Sequence, residues 1–90
     1  VVKFVFVNNF SHANLENANF KNAGLWNVGF ISANLTNADL SGSDLTMALL
    51  NNANLSNANL QRVDLSGANL SDVIYDQNTI LKCVNHDICI

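Results

Sequence analysis

The sequence carries a five-residue repeat through most of its length. Every fifth position from Phe10 to Leu70 is leucine or phenylalanine, and the series comprises Phe10, Leu15, Phe20, Leu25, Phe30, Leu35, Leu40, Leu45, Leu50, Leu55, Leu60, Leu65 and Leu70. The position two before each large residue is alanine in nine of the thirteen units, and the position between them is Asn or Asp in ten. Each unit therefore reads small, Asn or Asp, large apolar, and two mostly polar residues.

A spacing of five is incompatible with both common secondary structures. On an α-helix, five residues turn the side chain about 140° beyond a full revolution, so the large residues would not share a face. On a flat strand, an odd spacing sends successive large residues to opposite faces. All thirteen can share one interior only if the backbone bends equally in every unit and winds about an axis. The sequence therefore predicts a solenoid whose core is this series.

A second period of twenty residues is superposed on the first. Segments 13–17, 33–37 and 53–57 read ANLEN, ANLTN and ANLSN, and Phe10 and Phe30 also stand twenty residues apart. Because stacked positions in successive coils tend to share residue types, this period predicts four units per coil.

These units resemble the motif of the pentapeptide-repeat proteins, which is Ala, Asp or Asn, Leu and two variable residues, over about residues 8–75. The resemblance implies an all-β fold, a right-handed quadrilateral β-helix of about three to four coils. We expect residues 1–90 to form a single domain, with Val1–Val7 as an N-terminal capping strand. Residues 76–90, which carry no repeat, are expected to form a C-terminal capping tail because solenoid ends expose strand edges.

The residue types agree with that fold. Small alanines fit beside the large residues in a narrow core. The Asn and Asp residues tolerate turn conformations and bond to their own backbone, which helps a chain that turns every five residues. Stacked Asn14, Asn34 and Asn54 are expected to form an amide ladder.

Composition excludes two classes of function. The chain has four Lys plus Arg, seven Asp plus Glu and a net charge of −3, too few basic groups to displace counterions from nucleic-acid phosphates. Its longest apolar stretch, Val1–Val7, contains seven residues with Lys3 among them, whereas a spanning helix needs about 20. We expect neither direct nucleic-acid binding nor a membrane span.

The filled interior argues against catalysis. A solenoid packed with Leu and Ala offers no concave site on which titratable groups converge. His12, Ser32 and Asp72 are expected in one column, but His12 and Asp72 would lie three coils apart, roughly 14 Å. We predict a protein that is not an enzyme and has no cofactor or metal.

A binding surface is the preferred functional interpretation. In the five-residue register, Trp26, Ile31, Met47 and Leu49 occupy outward positions on two adjacent faces of neighbouring coils. Large apolar side chains on a polar wall are typical of protein interfaces. We predict a rigid scaffold or protein–protein interaction module, in which these residues contact a protein partner, a second copy or a terminal segment.

The resemblance also implies an alternative, because the best-known members of the family resemble duplex DNA and act on type II topoisomerases. Three coils span roughly 15 Å, over which duplex DNA carries about nine negative charges. We expect Asp44 and Asp64 to stack on one face and Asp39 to lie on the adjacent face. The positive charges of Lys21 and Arg62 reduce the negative electrostatic potential of these aspartates. A DNA-mimic inhibitor or modulator is the alternative function, and a structural segment of a longer protein is a further one.

The sequence of the two cysteines does not determine the cellular compartment of the protein. Cys83 and Cys89 flank His86, a spacing that is a weak signal for zinc, and a disulfide or two free thiols are both compatible with it. The resemblance adds that some thylakoid-lumen and cyanobacterial members carry a disulfide in a capping tail. Free thiols would indicate the cytoplasm, and a disulfide would indicate the periplasm or the thylakoid lumen.

Overall fold

The computed structural model describes residues 9–90, so the predicted capping strand Val1–Val7 lies outside the described residues. Within 9–90 there is no continuous helix or strand, and the chain is joined by isolated parallel bridges. These bridges form four ladders, which we name by their residues: wall 1 (Asn9, Gly29, Leu49, Asn69), wall 2 (Asn14, Asn34, Asn54, Ile74), wall 3 (Asn19, Asp39, Asn59, Ile80) and wall 4 (Gly24, Asp44, Asp64, Val84). Stacked positions are twenty residues apart, except at Asn59 and Ile80, which are twenty-one apart.

Each corner between two walls is a tight turn that begins at the large residue. The N–H of the following small residue donates to the carbonyl of the large one, as Ala38 does to Leu35 at 3.0 Å. The second residue after the large one has a positive φ in all thirteen units, between 57° and 71°. Among the common turn types, only type II places positive φ at that position alone.

The Asn and Asp residues of the walls initiate these turns. In all ten units that have one, the side-chain Oδ1 accepts the N–H two residues further on, as Asn34 does from Thr36 at 3.0 Å. This local bond holds the chain at the start of the corner. The predicted amide ladder is partial, because Asn34 Nδ2 donates to Asn14 Oδ1 at 3.4 Å and no such bond joins Asn54 to Asn34 within residues 9–90.

The large residues of the repeat point inward. Ten of the predicted thirteen are buried, and Phe10, Leu15 and Phe20 of the first coil are half-buried against them. The three phenyl rings at positions 10, 20 and 30 pack together, with centroids 5.6–6.1 Å apart. Alanines such as Ala48 and Ala58 fill the space between the large side chains and are fully buried, as expected for a close-packed interior.

Backbone pairing continues beyond residue 75, near which the sequence repeat fades. Ile80 pairs with Asn59 and Val84 with Asp64, while Leu81 and Cys83 are buried beneath the preceding coil. The chain takes six residues from Ile74 to Ile80 and then four to Val84. The long step and the short step offset each other, so the coil stays in register although the period of five is broken.

The last six residues turn back beneath the coil. The N–H of Cys89 donates to the His86 carbonyl at 3.1 Å, and that of Ile90 donates to the Leu81 carbonyl at 2.9 Å. Asn85 Nδ2 donates to Asp64 Oδ1 at 3.0 Å, which joins this segment to wall 4. Residues 9–90 include no helix of the length and apolarity that crossing a membrane would require.

Candidate functional site

The four outward apolar residues singled out from the sequence, Trp26, Ile31, Met47 and Leu49, are here called the wall patch. Met47 and Leu49 are well exposed, at 55% and 42% of their surface, whereas Trp26 and Ile31 are half-buried. Leu49 belongs to wall 1, and Met47 is the corner residue immediately before that wall. The most accessible part of the wall patch is therefore the pair Met47 and Leu49.

Two glycines on neighbouring coils lie beside this pair. Gly29 is the bridge partner of Leu49 on the preceding coil of wall 1 and has no side chain of its own, and Asn9 Oδ1 lies 2.8 Å from the position that a Gly29 Cβ would take. Gly67 lies below Met47, and a Cβ added at Gly67 would collide with the Met47 Sδ atom. The Met47 side chain therefore packs against the backbone of Gly67. A larger residue at position 67 would occupy the space that the Met47 side chain fills.

Met47 also has an unusual backbone conformation for its residue type. Its φ is 61°, in the left-handed region that Gly and Asn favour. Placing an unbranched side chain there costs about 1 kcal/mol relative to glycine. The positive φ does not account for the choice of methionine at this corner, because Asn and Gly occupy most of the equivalent corner positions.

Trp26 begins the corner between wall 4 and wall 1. Its indole Nε1 is 3.8 Å from the Cβ position of Gly24, a residue of wall 4. Ile31 begins the corner after wall 1, and its N–H donates to Ser11 Oγ at 3.2 Å. The wall patch thus extends over wall 1 and the corners on either side of it.

The acidic side chains of walls 3 and 4 are engaged locally. The hydroxyl and N–H of Ser41 lower the pKa of Asp39, with smaller effects from the charges of Lys21 and Arg62. The Asn85 amide, followed by Ser66, lowers the pKa of Asp64. Asp44 accepts the Thr46 N–H at 2.9 Å. Each of these carboxylates acts as an acceptor at the start of a turn.

The cysteines form a disulfide that closes the C-terminal segment. Their Cα atoms are 5.1 Å apart, Cys83 is buried in the coil interior, and Cys89 packs against the core from below. His86 Nδ1, which the cysteines flank, accepts the Ile88 N–H at 3.1 Å. In the described part of the chain, no three His, Cys, Asp or Glu side chains are grouped to hold a metal, and no cavity is present.

The last coil presents apolar side chains that the sequence interpretation missed. Ile74, Ile80 and Val84 stand at the outer positions of walls 2, 3 and 4, where earlier coils mostly have Asn or Asp, and Tyr75 and Ile90 are also exposed. Ile74 gave a signal, because it follows Asn69 by five residues and breaks the Asn or Asp pattern. Ile80 and Val84 gave none, since the irregular spacing hides their register.

Comparison with known proteins gives a consistent result. A family model described as Pentapeptide repeats matches residues 9–46 and 33–72, in eight copies. No curated protein sequence matches the chain significantly.

Three solved structures illustrate the similarity. HetL from the cyanobacterium Nostoc sp. strain PCC 7120, a pentapeptide repeat protein involved in heterocyst differentiation regulation, is 32% identical with a TM-score of 0.80 over 91% of this chain. A pentapeptide repeat protein of the Arabidopsis thaliana thylakoid lumen is 29% identical with a TM-score of 0.74 over 92%. One from the cyanobacterium Cyanothece 51142 is 34% identical with a TM-score of 0.62 over 79%. The chain spans 38%, 65% and 52% of their respective lengths, less than two thirds of each.

Proposed function

Because this chain belongs to the pentapeptide repeat family, we propose that it is a non-enzymatic scaffold that binds a protein partner through the wall patch. In this proposal the repeat region forms a right-handed quadrilateral β-helix of about three to four coils. Residues 76–90 cap its C-terminal end. The rigid wall holds the contact residues in fixed positions, so that little conformational freedom is lost when the partner binds.

The observation that carries the proposal is the exposed pair Met47 and Leu49. Both are large, exposed apolar residues at positions that Asn, Asp or Gly occupy in most other units, and both lie beside a glycine of a neighbouring coil, Gly67 for Met47 and Gly29 for Leu49. Apolar side chains that become buried when a partner binds supply much of the free energy of protein association. Trp26, half-buried in the corner between walls 4 and 1, would extend the contact along that corner.

The DNA-mimic alternative has less support. Asp39, Asp44 and Asp64 accept local hydrogen bonds as turn residues, and the net charge of −3 is small beside the phosphates of an equal length of duplex.

An oxidising compartment is the proposed location. The Cys83–Cys89 disulfide supports it, because such bonds persist outside reducing compartments. One similar structure is a thylakoid-lumen protein. Mass spectrometry of the protein purified from its native source, with and without reductant, measures the thiol content, and two free thiols there would contradict the proposal.

The binding function is tested by a variant that restores the repeat pattern. Met47→Asn together with Leu49→Asn places the residue type that other units use at both positions, so the fold is preserved while the apolar pair is lost. We expect proteins captured by the wild-type chain from a native extract to lose at least about tenfold in enrichment.

The matched control is Asn52→Ser, a change at a corner outside the wall patch, where Ser32 already occupies the equivalent position one coil earlier. It should leave enrichment unchanged. Equal capture by the wild-type chain and the double variant would contradict binding through the wall patch.

A further inference from the structure

Met47 carries the one reduced sulfur of the protein that an oxidant in solution can meet. It is the only methionine in the sequence, and both cysteines are joined in the Cys83–Cys89 disulfide, so no free thiol competes with it. The Met47 side chain is 55% exposed. Because the oxidation of sulfur side chains follows their exposure, the surroundings of this sulfur decide whether it is an oxidation site.

The Met47 sulfur faces bare backbone. Sδ is the Met47 atom nearest the position that a Gly67 Cβ would take, and Cγ and Cε lie farther from that position, at 3.6 Å and 3.8 Å. The lone pairs of a thioether point away from its two carbon substituents, so those of Met47 are directed towards Gly67. Because Gly67 has no side chain and is itself exposed, an oxidant can reach these lone pairs, and an added oxygen has space on that side of the sulfur.

The backbone at this corner is held without the Met47 side chain. The Met47 N–H donates to the Ser66 carbonyl at 2.8 Å, and the Asn27 N–H donates to the Thr46 carbonyl at 2.9 Å. These two bonds join the corner to the coil after it and the coil before it. A chemical change at the Met47 sulfur therefore alters the outer surface of the corner and leaves the hydrogen bonds between the coils in place.

We propose that Met47 is an oxidation site that controls partner binding by the wall patch, an inference that rests on the proposed function. Hydrogen peroxide transfers one oxygen to Sδ: its O–O bond breaks, an S–O bond forms, the thioether is oxidised to the sulfoxide, and the peroxide is reduced to water. A methionine sulfoxide reductase reverses the change. In that step a dithiol is oxidised to a disulfide, and the oxygen leaves as water. The wall patch thus has a reduced state that binds and an oxidised state that does not.

The oxidised state loses the partner because the sulfoxide is polar. In the reduced state, the Met47 thioether and the exposed Leu49 side chain offer apolar area to the partner. A sulfoxide oxygen is a hydrogen-bond acceptor, and its burial against an apolar surface that offers no donor costs free energy. This cost opposes the association that the apolar pair supports.

The rate of sulfoxide formation tests the site without any partner. The chain is treated with hydrogen peroxide, and mass spectrometry of its peptides locates the added oxygen. We expect Met47 sulfoxide to form in the folded chain at a rate within about fivefold of that in the chain unfolded in urea, since the oxidant reaches the sulfur in both. Met47→Leu is the matched control and should gain no oxygen at this position. A slower rate in the folded chain would show that the sulfur is shielded and would overturn the proposal.

Partner binding is then measured after removal of the peroxide, and each chain is compared with its own untreated sample. Enrichment of proteins captured from a native extract should fall at least about tenfold for the wild-type chain, and the Met47→Leu chain should show no change on treatment. A methionine sulfoxide reductase with dithiothreitol should restore capture by the oxidised chain, whereas dithiothreitol alone should not. The melting temperature of the oxidised chain should equal that of the untreated chain.

The outcomes distinguish this inference from the proposed function. If the oxidised and untreated wild-type chains capture equally, while the Met47→Asn and Leu49→Asn double variant has lost capture, oxidation control is refuted and binding through the wall patch stands. Equal capture by the wild-type chain and the double variant would remove the proposed function, and oxidation control with it. A loss that the Met47→Leu chain shares, or that accompanies a lower melting temperature, would also refute control through the Met47 sulfur.

Discussion

At the scale of single residues, the decisive position is the corner. One residue in each of the thirteen units adopts a left-handed conformation, and six of these are Asn and two are Gly. The sequence interpretation gave the turning role to the Asn and Asp of the walls, whose side chains bond to the backbone two residues on. It did not separate the two polar positions after the large residue. The signal was the excess of Asn at the second of them, which a left-handed backbone explains.

Met47 provides a direct test of corner strain. Replacing it with Asn removes an unbranched side chain from a left-handed position and should stabilise the fold by about 0.5–1 kcal/mol. The measurement is the free energy of unfolding in urea. Met47→Leu keeps the strain and serves as the control, which we expect to unfold at the wild-type denaturant concentration or below it. A destabilised Met47→Asn chain would show that contact of Met47 with Gly67 outweighs the strain.

At the scale of the coil, the period of five determines which residues lie inside. The series from Leu25 to Leu70 is buried because each unit bends equally, and this followed from the spacing alone. The coil beyond residue 75 could not be predicted in the same way. Its six-residue and four-residue steps keep the stacking but abolish the period, so Leu81 and Cys83 occupy interior positions without a repeat to indicate them.

The contribution of one interior position is tested by Leu55→Ala. Leu55 is fully buried among neighbours that cannot collapse into the space, so the cavity should cost about 2–5 kcal/mol of unfolding free energy. Leu15→Ala is the matched control, because Leu15 occupies the same column but is half-buried, and it should cost roughly half as much. A loss below about 1 kcal/mol for Leu55→Ala would contradict close packing at this position.

At the scale of the whole molecule, each coil contacts only its neighbours, so the ends limit stability. The C-terminal end is held by the disulfide and by two carboxylates that bind across coils. Asp64 accepts the Asn85 amide of the returning segment, and Asp76 accepts the Asn57 N–H at 3.1 Å. The Asn85 amide is the main cause of the lowered pKa of Asp64, and the Asn57 N–H is the main cause of the lowered pKa of Asp76.

These lowered pKa values predict acid sensitivity of the C-terminal end. A carboxylate whose pKa is lower in the folded chain contributes stability that is present above its unfolded value, here 3.8, and is lost as the pH falls through the folded value. The melting temperature of the wild-type chain should therefore drop below about pH 4. Asp64→Asn and Asp76→Asn should each show a smaller drop, because an amide accepts the same hydrogen bond without titrating. Asp87→Asn is the control, since the Asp87 carboxylate accepts no hydrogen bond from residues 9–90, and its drop should equal that of the wild-type chain. If all four chains lost stability in parallel, the acid sensitivity would arise elsewhere in the coil, and these two contacts would not secure its end.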